Sequence, residues 1–366
     1  MKIAVAAGGT AGHAVPALAV AEALRQRGVD VVFFGGERAE AELVPAAGFE
    51  FHRLRLSGLD RRNQLKALRA VWQALRGVIT ARKLLKREGV DAVMAGGGYI
   101  AGPVGAAAVT LRKPLVVTEA DAHLGVANKL LAPFARKICL AFAIDGHSGG
   151  KYVVTGRPIA PRREGLSRSE ARARFGLPED GVCLLVFGGS LGARTINRAS
   201  LEAFADGVPE GLCVMHLTGR GDFSAAREIL DSHPALADAA AHARYRLFDF
   251  TTDFDIALAA ADVSVCRAGG SIFELAAAGL PSILVPYPYA TADHQALNAR
   301  WLVDGDAALM VRDDALDGAT LRAMLDDLLG DPQKLAAMRE NALRLAMPDA
   351  ADRIADQLEA AAKGEQ

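Results

Sequence analysis

Each half of this 366-residue chain contains an apolar run that enters a glycine-rich turn and leaves it as a helical pattern. In the first, IAVAAGGTAGHAVPALAVAEAL, the turn holds Gly8, Gly9, Thr10, Gly12 and His13; in the second, CLLVFGGSLGARTINRA, it holds Gly188, Gly189, Ser190 and Gly192. Glycine lets a backbone take positive φ and come close to a ligand. A helix start offers unpaired N–H groups and a positive dipole end, which suit a phosphate or pyrophosphate. The repetition predicts two similar domains facing each other across a cleft, with a phosphorylated ligand between them.

The rest of the chain supports this. Strand-like runs cover 2–7, 30–34, 91–95, 114–118, 136–141 and 151–154 in the first half, and 182–187, 212–217, 244–248, 262–266 and 282–286 in the second. They are nearly continuous in apolar residues, the pattern of parallel strands covered on both faces by helices. Strand and helix alternate throughout, so the fold class is α/β, two doubly wound domains. The proline- and charge-rich stretch GRPIAPRREG at 156–165 predicts the boundary, with domains over 1–160 and 161–340. An alanine-rich helical pattern over about 333–364 breaks at Met347-Pro348-Asp349. Its last part, 341–366, is expected to pack back on the first domain.

Ligands of open α/β sheets bind outside the carboxyl ends of the strands. Four glycine clusters fall there: 8–13, 96–103, 188–194 and 267–274. One such cluster is a turn by default, but four at equivalent positions favour a ligand site. In the fourth, Arg267 leaves the strand, Gly269 and Gly270 allow close approach, Ser271 opens a helix and Glu274 lies one turn in. A carboxylate there can accept both hydroxyls of a ribose, or simply complement the helix dipole. Asp293, His294, Gln295 and Asn298 cluster at a later helix start, where such side chains can read sugar hydroxyls or serve as a capped terminus.

Composition excludes some classes. A formal net charge of −1 gives no global attraction to nucleic acid. Cys139, Cys183, Cys213 and Cys266 are widely spaced, without CxxC or zinc spacing, and read as buried reduced thiols of a cytosolic protein. No apolar stretch reaches the ~18–20 residues of a membrane span and no signal-peptide pattern precedes the first strand.

GGTAGHAVPALAVAEAL, AGGGYIAGP, FGGSLGARTIN, CRAGGSIFELAAAGLPSILVPYP and ATADHQALNA occur in this order. Together they resemble the MurG family, the UDP-N-acetylglucosamine–lipid I N-acetylglucosaminyltransferases of peptidoglycan synthesis. The resemblance spans nearly the whole chain. It implies a GT-B fold with Rossmann-like domains, an N-terminal acceptor- and membrane-binding domain, a C-terminal domain for UDP-N-acetylglucosamine (UDP-GlcNAc), and an inverting transfer to lipid I that needs no cofactor and no metal ion. It also implies the cytoplasmic face of the cell membrane as the location, and partners in cell-wall and division machinery. Thr10, Ala11, Gly12 and His13 match the loop where donor and acceptor meet. Gly189 and Ser190 match the turn near the diphosphate, and Thr251 the loop that reads uracil. Arg267 and the run Gly269, Gly270, Ser271 to Glu274 match the phosphate- and ribose-binding loop, while His294 and Gln295 match the segment that reads the sugar. Gly97, Gly98, Tyr99 and Asn128 are the expected acceptor contacts. Two departures stand out. The family's HEQN segment reads Thr118-Glu119-Ala120-Asp121, with Asp121 for asparagine at a donor or acceptor contact. The GNPVR segment reads Gly156-Arg157-Pro158-Ile159-Ala160, leaving Arg157 or Arg162 to stand in for the missing arginine.

Such a reaction needs a base within reach of the attacking hydroxyl. His13 is the first choice because its ordinary pKa is close to working pH; Asp121 and Glu119 follow, and the alternative for His13 is a structural loop cap. The departing UDP must be met by loop amides and an arginine. Asp253-Phe254-Asp255 and Asp304-Gly305-Asp306 match a metal-binding Asp-x-Asp in letters, but read as a helix start and a turn. From Arg61 to Arg87 there are nine Lys/Arg residues and no acid, with Leu65, Leu68, Val71, Trp72, Leu75, Val78 and Ile79 at helical spacing. A basic amphipathic stretch with tryptophan suits an anionic bilayer surface. The competing readings are a UDP-sugar transferase for another lipid such as diacylglycerol, an NAD(P)-dependent oxidoreductase, and a non-catalytic sugar-nucleotide sensor. GGTAGH is not GxGxxG, which counts against the second.

Overall fold

The protein is described here by a computed structural model covering all residues except 10, 57–63, 164, 190–191, 237–238, 291–292 and 366, and except the side chains of 11, 64–71, 239 and 240. The chain divides into two units, Met1–Pro161 with Met347–Gln366, and Arg162–Ala346.

The first unit runs β1 (Lys2–Ala6), α1 (Ala11–Gln26), β2 (Asp30–Gly35), α2 (Glu40–Ala46), β3 (Glu50–Arg53), α3 (Gln64–Glu88), β4 (Ala92–Ala95), α4 (Gly98–Thr110), β5 (Leu115–Glu119), α5 (Val126–Leu131), β6 (Lys137–Leu140) and β7 (Tyr152–Val154). The strands form one parallel sheet in the order β3-β2-β1-β4-β5-β6-β7. Alternate residues of β1 enter opposite cores: Ala4 and Ala6 pack with Ala81, Leu85 and Ile100, whereas Ile3 and Val5 pack with Val20, Leu24, Ile354 and Leu358. Covering both faces is what makes these strands continuously apolar.

The second unit runs α6 (Arg168–Arg174), β8 (Val182–Phe187), α7 (Arg194–Ala203), β9 (Leu212–Leu217), α8 (Phe223–Ser232), α9 (Ala239–Arg244), β10 (Tyr245–Phe248), α10 (Phe254–Ala260), β11 (Val263–Cys266), α11 (Ile272–Ala278), β12 (Ser282–Leu284), α12 (His294–Val303), β13 (Ala308–Met310), α13 (Gly318–Leu329) and α14 (Pro332–Leu345). Its parallel sheet has the order β10-β9-β8-β11-β12-β13. Both sheets reverse strand order once, between β1 and β4 and between β8 and β11. That reversal is where a doubly wound sheet opens a crevice for a ligand. All four cysteines are buried thiols.

The apolar-run criterion misses the edge strands β3 and β13. EFHR is polar at three of four positions and ALM is only three residues long. The helical pattern near the C-terminus is two helices, and position 340/341 falls inside the first. Residues 341–345 complete α14, which packs on α11 in the second unit. The last helix, α15 (Ala350–Lys363), belongs to the first unit and packs on α1. Ile354 and Leu358 are fully buried there, at about 1.5–3 kcal/mol each. Arg27 fixes the rim of that contact through Asp352 at 2.7 Å, Asp356 at 2.6 Å and Glu359 at 3.2 Å.

Candidate active site

The glycine turns straddle the two reversals. In the first unit, Gly8 and Gly9 follow β1 and Gly96, Gly97 and Gly98 follow β4. Gly98 has φ +74°, and a Cβ there would lie 1.9 Å from the Gly8 carbonyl oxygen. Gly97 has φ +86°, and a Cβ would meet the His13 ring at 2.7 Å. These turns therefore pack on each other and on His13 only because they lack side chains. Glu40, buried at the start of α2, ties them down: its carboxylate accepts from Gly9 N at 3.1 Å and Gly36 N at 2.9 Å. Sequence reading passes over Glu40, because an acid in a first helical turn is the ordinary complement to a helix dipole.

His13 lies in the first turn of α1. Burial pushes its pKa below the ordinary 6.5, the Arg157 charge adds to the depression, and Asp121 and Glu40 oppose it. The structure thus brings His13 and Asp121 into one electrostatic environment. Glu119, the third candidate base, has another task. One oxygen accepts from Ala120 N at 3.0 Å and Asp121 N at 3.3 Å; the other accepts from Gly125 N and Asn128 Nδ2, both at 2.8 Å. Its carboxylate braces the loop that carries Asp121, and no oxygen is left uncommitted to take a proton from a substrate. Asn128, expected at the acceptor, is buried and gives its amide to Glu119 and to the Thr118 carbonyl at 3.0 Å. Tyr99 turns toward the 35–40 loop, where a Cβ on Gly36 would meet its hydroxyl at 2.1 Å. Burial raises its phenol pKa. Gly97 and Gly98 face the first turn, as described. Gly12 is exposed at the head of α1. Thr10 and the Ala11 side chain lie outside the described residues.

Of the two arginines near the boundary, Arg162 donates to the Ala277 carbonyl at 2.5 Å within the second unit. Arg157 is buried in the first unit, bonded to the carbonyls of Gly12 at 2.6 Å and Ala120 at 3.1 Å.

In the second unit Gly188 and Gly189 follow β8. A Cβ on Gly189, φ +83°, would find nothing within 4 Å among the described residues. On Gly192, φ +78°, it would lie 2.1 Å from the Thr218 carbonyl oxygen, so the far side packs on the loop after β9. Behind that loop runs a buried polar chain: Tyr245 to His216 at 2.9 Å, His216 to Asn197 at 3.0 Å, and Asn197 Nδ2 to Thr218 O at 3.0 Å. Burial holds the His216 pKa at about 3, so the ring is neutral and structural. Ser190 lies outside the described residues.

After β11, Gly269 leaves room: among the described residues a Cβ would meet only the Gln295 amide, at 4.0 Å. Ser271 and Gly270 lead into α11, and Glu274 sits in its first turn, partly exposed. Gln295, in the first turn of α12 beside His294, accepts from Tyr287 N at 2.9 Å. Asn298 is buried and reaches the Ala268 carbonyl at 3.4 Å, joining α12 to this turn. Thr251, after β10, accepts from Asp253 N at 3.0 Å, and its neighbour Phe250 is exposed under the Arg220 guanidinium. Arg267, at the exit of β11, has partners inside this unit. Its guanidinium pairs with Asp313 at 2.5 Å and donates to the Val285 and Pro286 carbonyls. One nitrogen of its guanidinium is thus shared between a carboxylate and main-chain carbonyls.

The Asp-x-Asp at 253–255 is an ion-pair cluster: Arg163 meets Asp253 at 2.6 Å and Arg174 meets it at 3.2 Å. Among the described residues, Glu50, His52 and Glu88 place ligand atoms close enough to share an ion. The Lys2 ammonium already sits there, 2.7 Å from Glu88 and 3.3 Å from Glu50, and with Arg87 and His52 holds the Glu88 pKa at about 2.

Known proteins are similar to this chain in architecture and sequence. Residues 3–140 match the glycosyltransferase family 28 N-terminal domain, and residues 183–354 match the glycosyltransferase family 28 C-terminal domain. The UDP-N-acetylglucosamine–N-acetylmuramyl-(pentapeptide) pyrophosphoryl-undecaprenol N-acetylglucosamine transferase of Acidithiobacillus ferrooxidans is 40% identical over 97% of this chain and 96% of its own. The protein of the same name from Halothermothrix orenii is 35% identical over the full length of both. The crystal structure of Acinetobacter baumannii MurG superposes with a TM-score of 0.78 at 28% identity, covering 98% of this chain and 99% of that one. Two open doubly wound sheets, glycine turns at both reversals and near-full-length identity of this order lead to one assignment: the chain belongs to glycosyltransferase family 28 and, within it, to the MurG family of N-acetylglucosamine transferases.

Proposed function

We propose that this protein transfers N-acetylglucosamine from UDP-GlcNAc to lipid I, undecaprenyl-diphospho-MurNAc-pentapeptide, to form lipid II. The observation that carries this reading is the paired set of glycine turns at the sheet reversals, in a chain whose relatives bear the name of that reaction. The second unit binds the donor. Amides of the 188–193 and 267–271 turns take the diphosphate, Glu274 the ribose, the loop at Thr251 the uracil, and His294 and Gln295 the sugar. The first unit binds the acceptor and supplies the base. As the acceptor oxygen bonds the anomeric carbon, its proton passes to His13. The bond from that carbon to UDP breaks with inversion, and loop amides meet the charge on the departing diphosphate.

The test is incubation with UDP-GlcNAc and a lipid I analogue, following UDP release and the disaccharide product. Transfer to diacylglycerol instead would replace the acceptor assignment. Glu274→Ala is expected to raise the KM for UDP-GlcNAc by about 10-fold or more at little change in kcat, as loss of a hydrogen bond to a charged group costs about 1.5–3 kcal/mol. An unchanged KM would return Glu274 to a helix-dipole role.

A lipid-linked acceptor places the enzyme peripherally at the cytoplasmic membrane face. Among the described residues no helix is long and apolar enough to cross a membrane. The inner side of α3 is buried through Gly77, Ala81 and Leu85, where a Cβ on Gly77 would meet Leu56 at 2.8 Å. Yet Trp72, Leu75 and Ile79 on its other side are 51%, 61% and 59% exposed, with the Arg76 guanidinium 3.6 Å over the Trp72 ring. A helix apolar on two sides has a second surface to bury, and the basic rim selects an anionic bilayer. Exposed Leu130 and Phe134, at and just beyond the end of α5, extend the apolar surface of this unit. Arg61, Arg62 and the side chains of Lys66 and Arg69 fall outside the described residues. Reversing Arg76 and Lys83 to glutamate is expected to weaken binding to phosphatidylglycerol-containing vesicles at least tenfold at low salt, at about 1 kcal/mol per basic residue near the surface. Unchanged sedimentation with vesicles would remove this surface from the membrane.

A further inference from the structure

One side chain joins the two segments that carry the candidate reacting groups. Arg157 follows Gly156, whose φ of +84° turns the chain inward. Its side chain is 8% exposed. Nη2 donates to the Gly12 carbonyl at 2.6 Å and Nη1 to the Ala120 carbonyl at 3.1 Å. Gly12 immediately precedes His13, and Ala120 immediately precedes Asp121. A single planar cation therefore fixes the peptide units from which both side chains depart, using the fork geometry that only arginine has. Arg157, His13 and Glu119 line a recess of about 20 Å³, room for about one water. The guanidinium donates to the main chain of both loops, so its effect runs through them.

We propose that Arg157 is a positioning residue for the transfer: by bridging the Gly12 and Ala120 carbonyls it holds His13 and Asp121 in the mutual geometry in which the imidazole takes the acceptor proton. The proposal rests on His13 being the base, as read above. The same cation has an electrostatic consequence. Among the described residues, Arg157 disfavours the protonated imidazole and Asp121 and Glu40 favour it, while Glu119 lines the same recess. Arg157 thus helps keep the ring neutral and able to accept a proton.

The experiment compares the full-length wild type with Arg157→Gln and Arg157→Lys. Thermal unfolding and UDP calorimetry establish that each variant is folded and binds nucleotide. NMR of histidine-labelled protein, with the His13 resonance identified by its loss in His13→Ala, follows the imidazole titration. Kinetics with UDP-GlcNAc and a lipid I analogue give kcat, KM and their pH dependence. Arg157→Gln removes the charge and one of the two donors. Its kcat is expected to fall about 10- to 100-fold, the scale of a misplaced catalytic group, with donor KM within about twofold of wild type. Both the His13 titration and the acidic limb of kcat/KM should move to higher pH. Arg157→Lys keeps the charge but not the fork: its acidic limb should stay in place while kcat falls by a smaller factor. Arg157→Gln with wild-type kcat and an unmoved His13 titration overturns the proposal. So does a kcat loss that merely equals the loss of folded protein. If Arg157→Gln does not fold, wild-type kcat in Arg157→Lys overturns the clamp. A wild type that transfers no sugar defeats the functional reading instead, and the His13 titration still decides whether Arg157 governs the imidazole.

Discussion

His13→Ala is expected to lower kcat for transfer to the lipid I analogue by about 10²- to 10⁴-fold, the usual contribution of a positioned general base, while the KM for UDP-GlcNAc stays within about twofold. The split follows from where the residue sits. His13 belongs to the first unit, and the turns proposed to take the diphosphate, ribose and sugar belong to the second. Removing the imidazole therefore touches the proton transfer and leaves donor binding intact. The pH profile adds an independent check. A base must be neutral to act, and burial with Arg157 holds the His13 pKa below 6.5. The wild-type acidic limb of kcat/KM should accordingly lie below the ordinary histidine range, with a plateau through neutral pH. Asp121 pulls the other way, raising the His13 pKa, so Asp121→Asn should shift that limb further down. If His13→Ala keeps kcat within about threefold while Asp121→Asn abolishes transfer, the carboxylate is the base and the imidazole a loop element.

Much of this arrangement is legible in the sequence, and the illegible part has a common cause. The buried strands are visible because helices cover both faces of each sheet, so a run such as VCLLVF at 182–187 has no polar position to obscure it. At the sheet edges the signal depends on the individual strand: β7 and β10 keep an apolar run, whereas β3 is mostly polar and β13 too short to show one. The glycine turns are legible because close backbone packing excludes every other residue, as at Gly98 and Gly192. What sequence does not disclose is which polar side chains serve main chain and which face a ligand. Glu119 and Arg267 sit in the expected loops, yet one binds four N–H donors and the other an aspartate 46 residues away. Glu40 and Arg157 hold the first-unit site together through backbone groups 31 and 145 residues distant. Spacing rules read local neighbours, and these contacts exist only once the sheet has brought strand ends together.

Arg172→Met is expected to destabilise the second unit by about 3–5 kcal/mol, the cost of leaving a buried ion-pair partner and its neighbours unpaired. The Arg172 side chain is 1% exposed. It donates to the carbonyls of Ala260, Pro178, Glu179 and Gly181, and pairs with Asp262 at 2.6 Å. Asp262 in turn accepts from Cys183 N at 2.8 Å. This one side chain thus ties α6 to the entrances of β8 and β11, the strands whose far ends carry the 188–193 and 267–271 turns. Methionine fills much of the volume but satisfies none of four carbonyls. Arg168, 2.8 Å from Asp262, keeps part of the ion pair, which sets the loss below that of an isolated buried charge. The chain's two tryptophans allow the loss to be localised, because Trp72 lies in the first unit and Trp301 in the second, stacked on Phe273 of α11 at 4.5 Å. In a Trp72→Phe background, Trp301 fluorescence should report a midpoint lowered by about 6–20 °C, at ~2–4 °C per kcal/mol for a unit of this size. UDP added in excess should recover part of the shift, because a ligand that binds only the folded unit stabilises it. A Trp301 midpoint within about 2 °C of wild type would mean that the strand entrances are held by other contacts and that Arg172 adds little to the second unit.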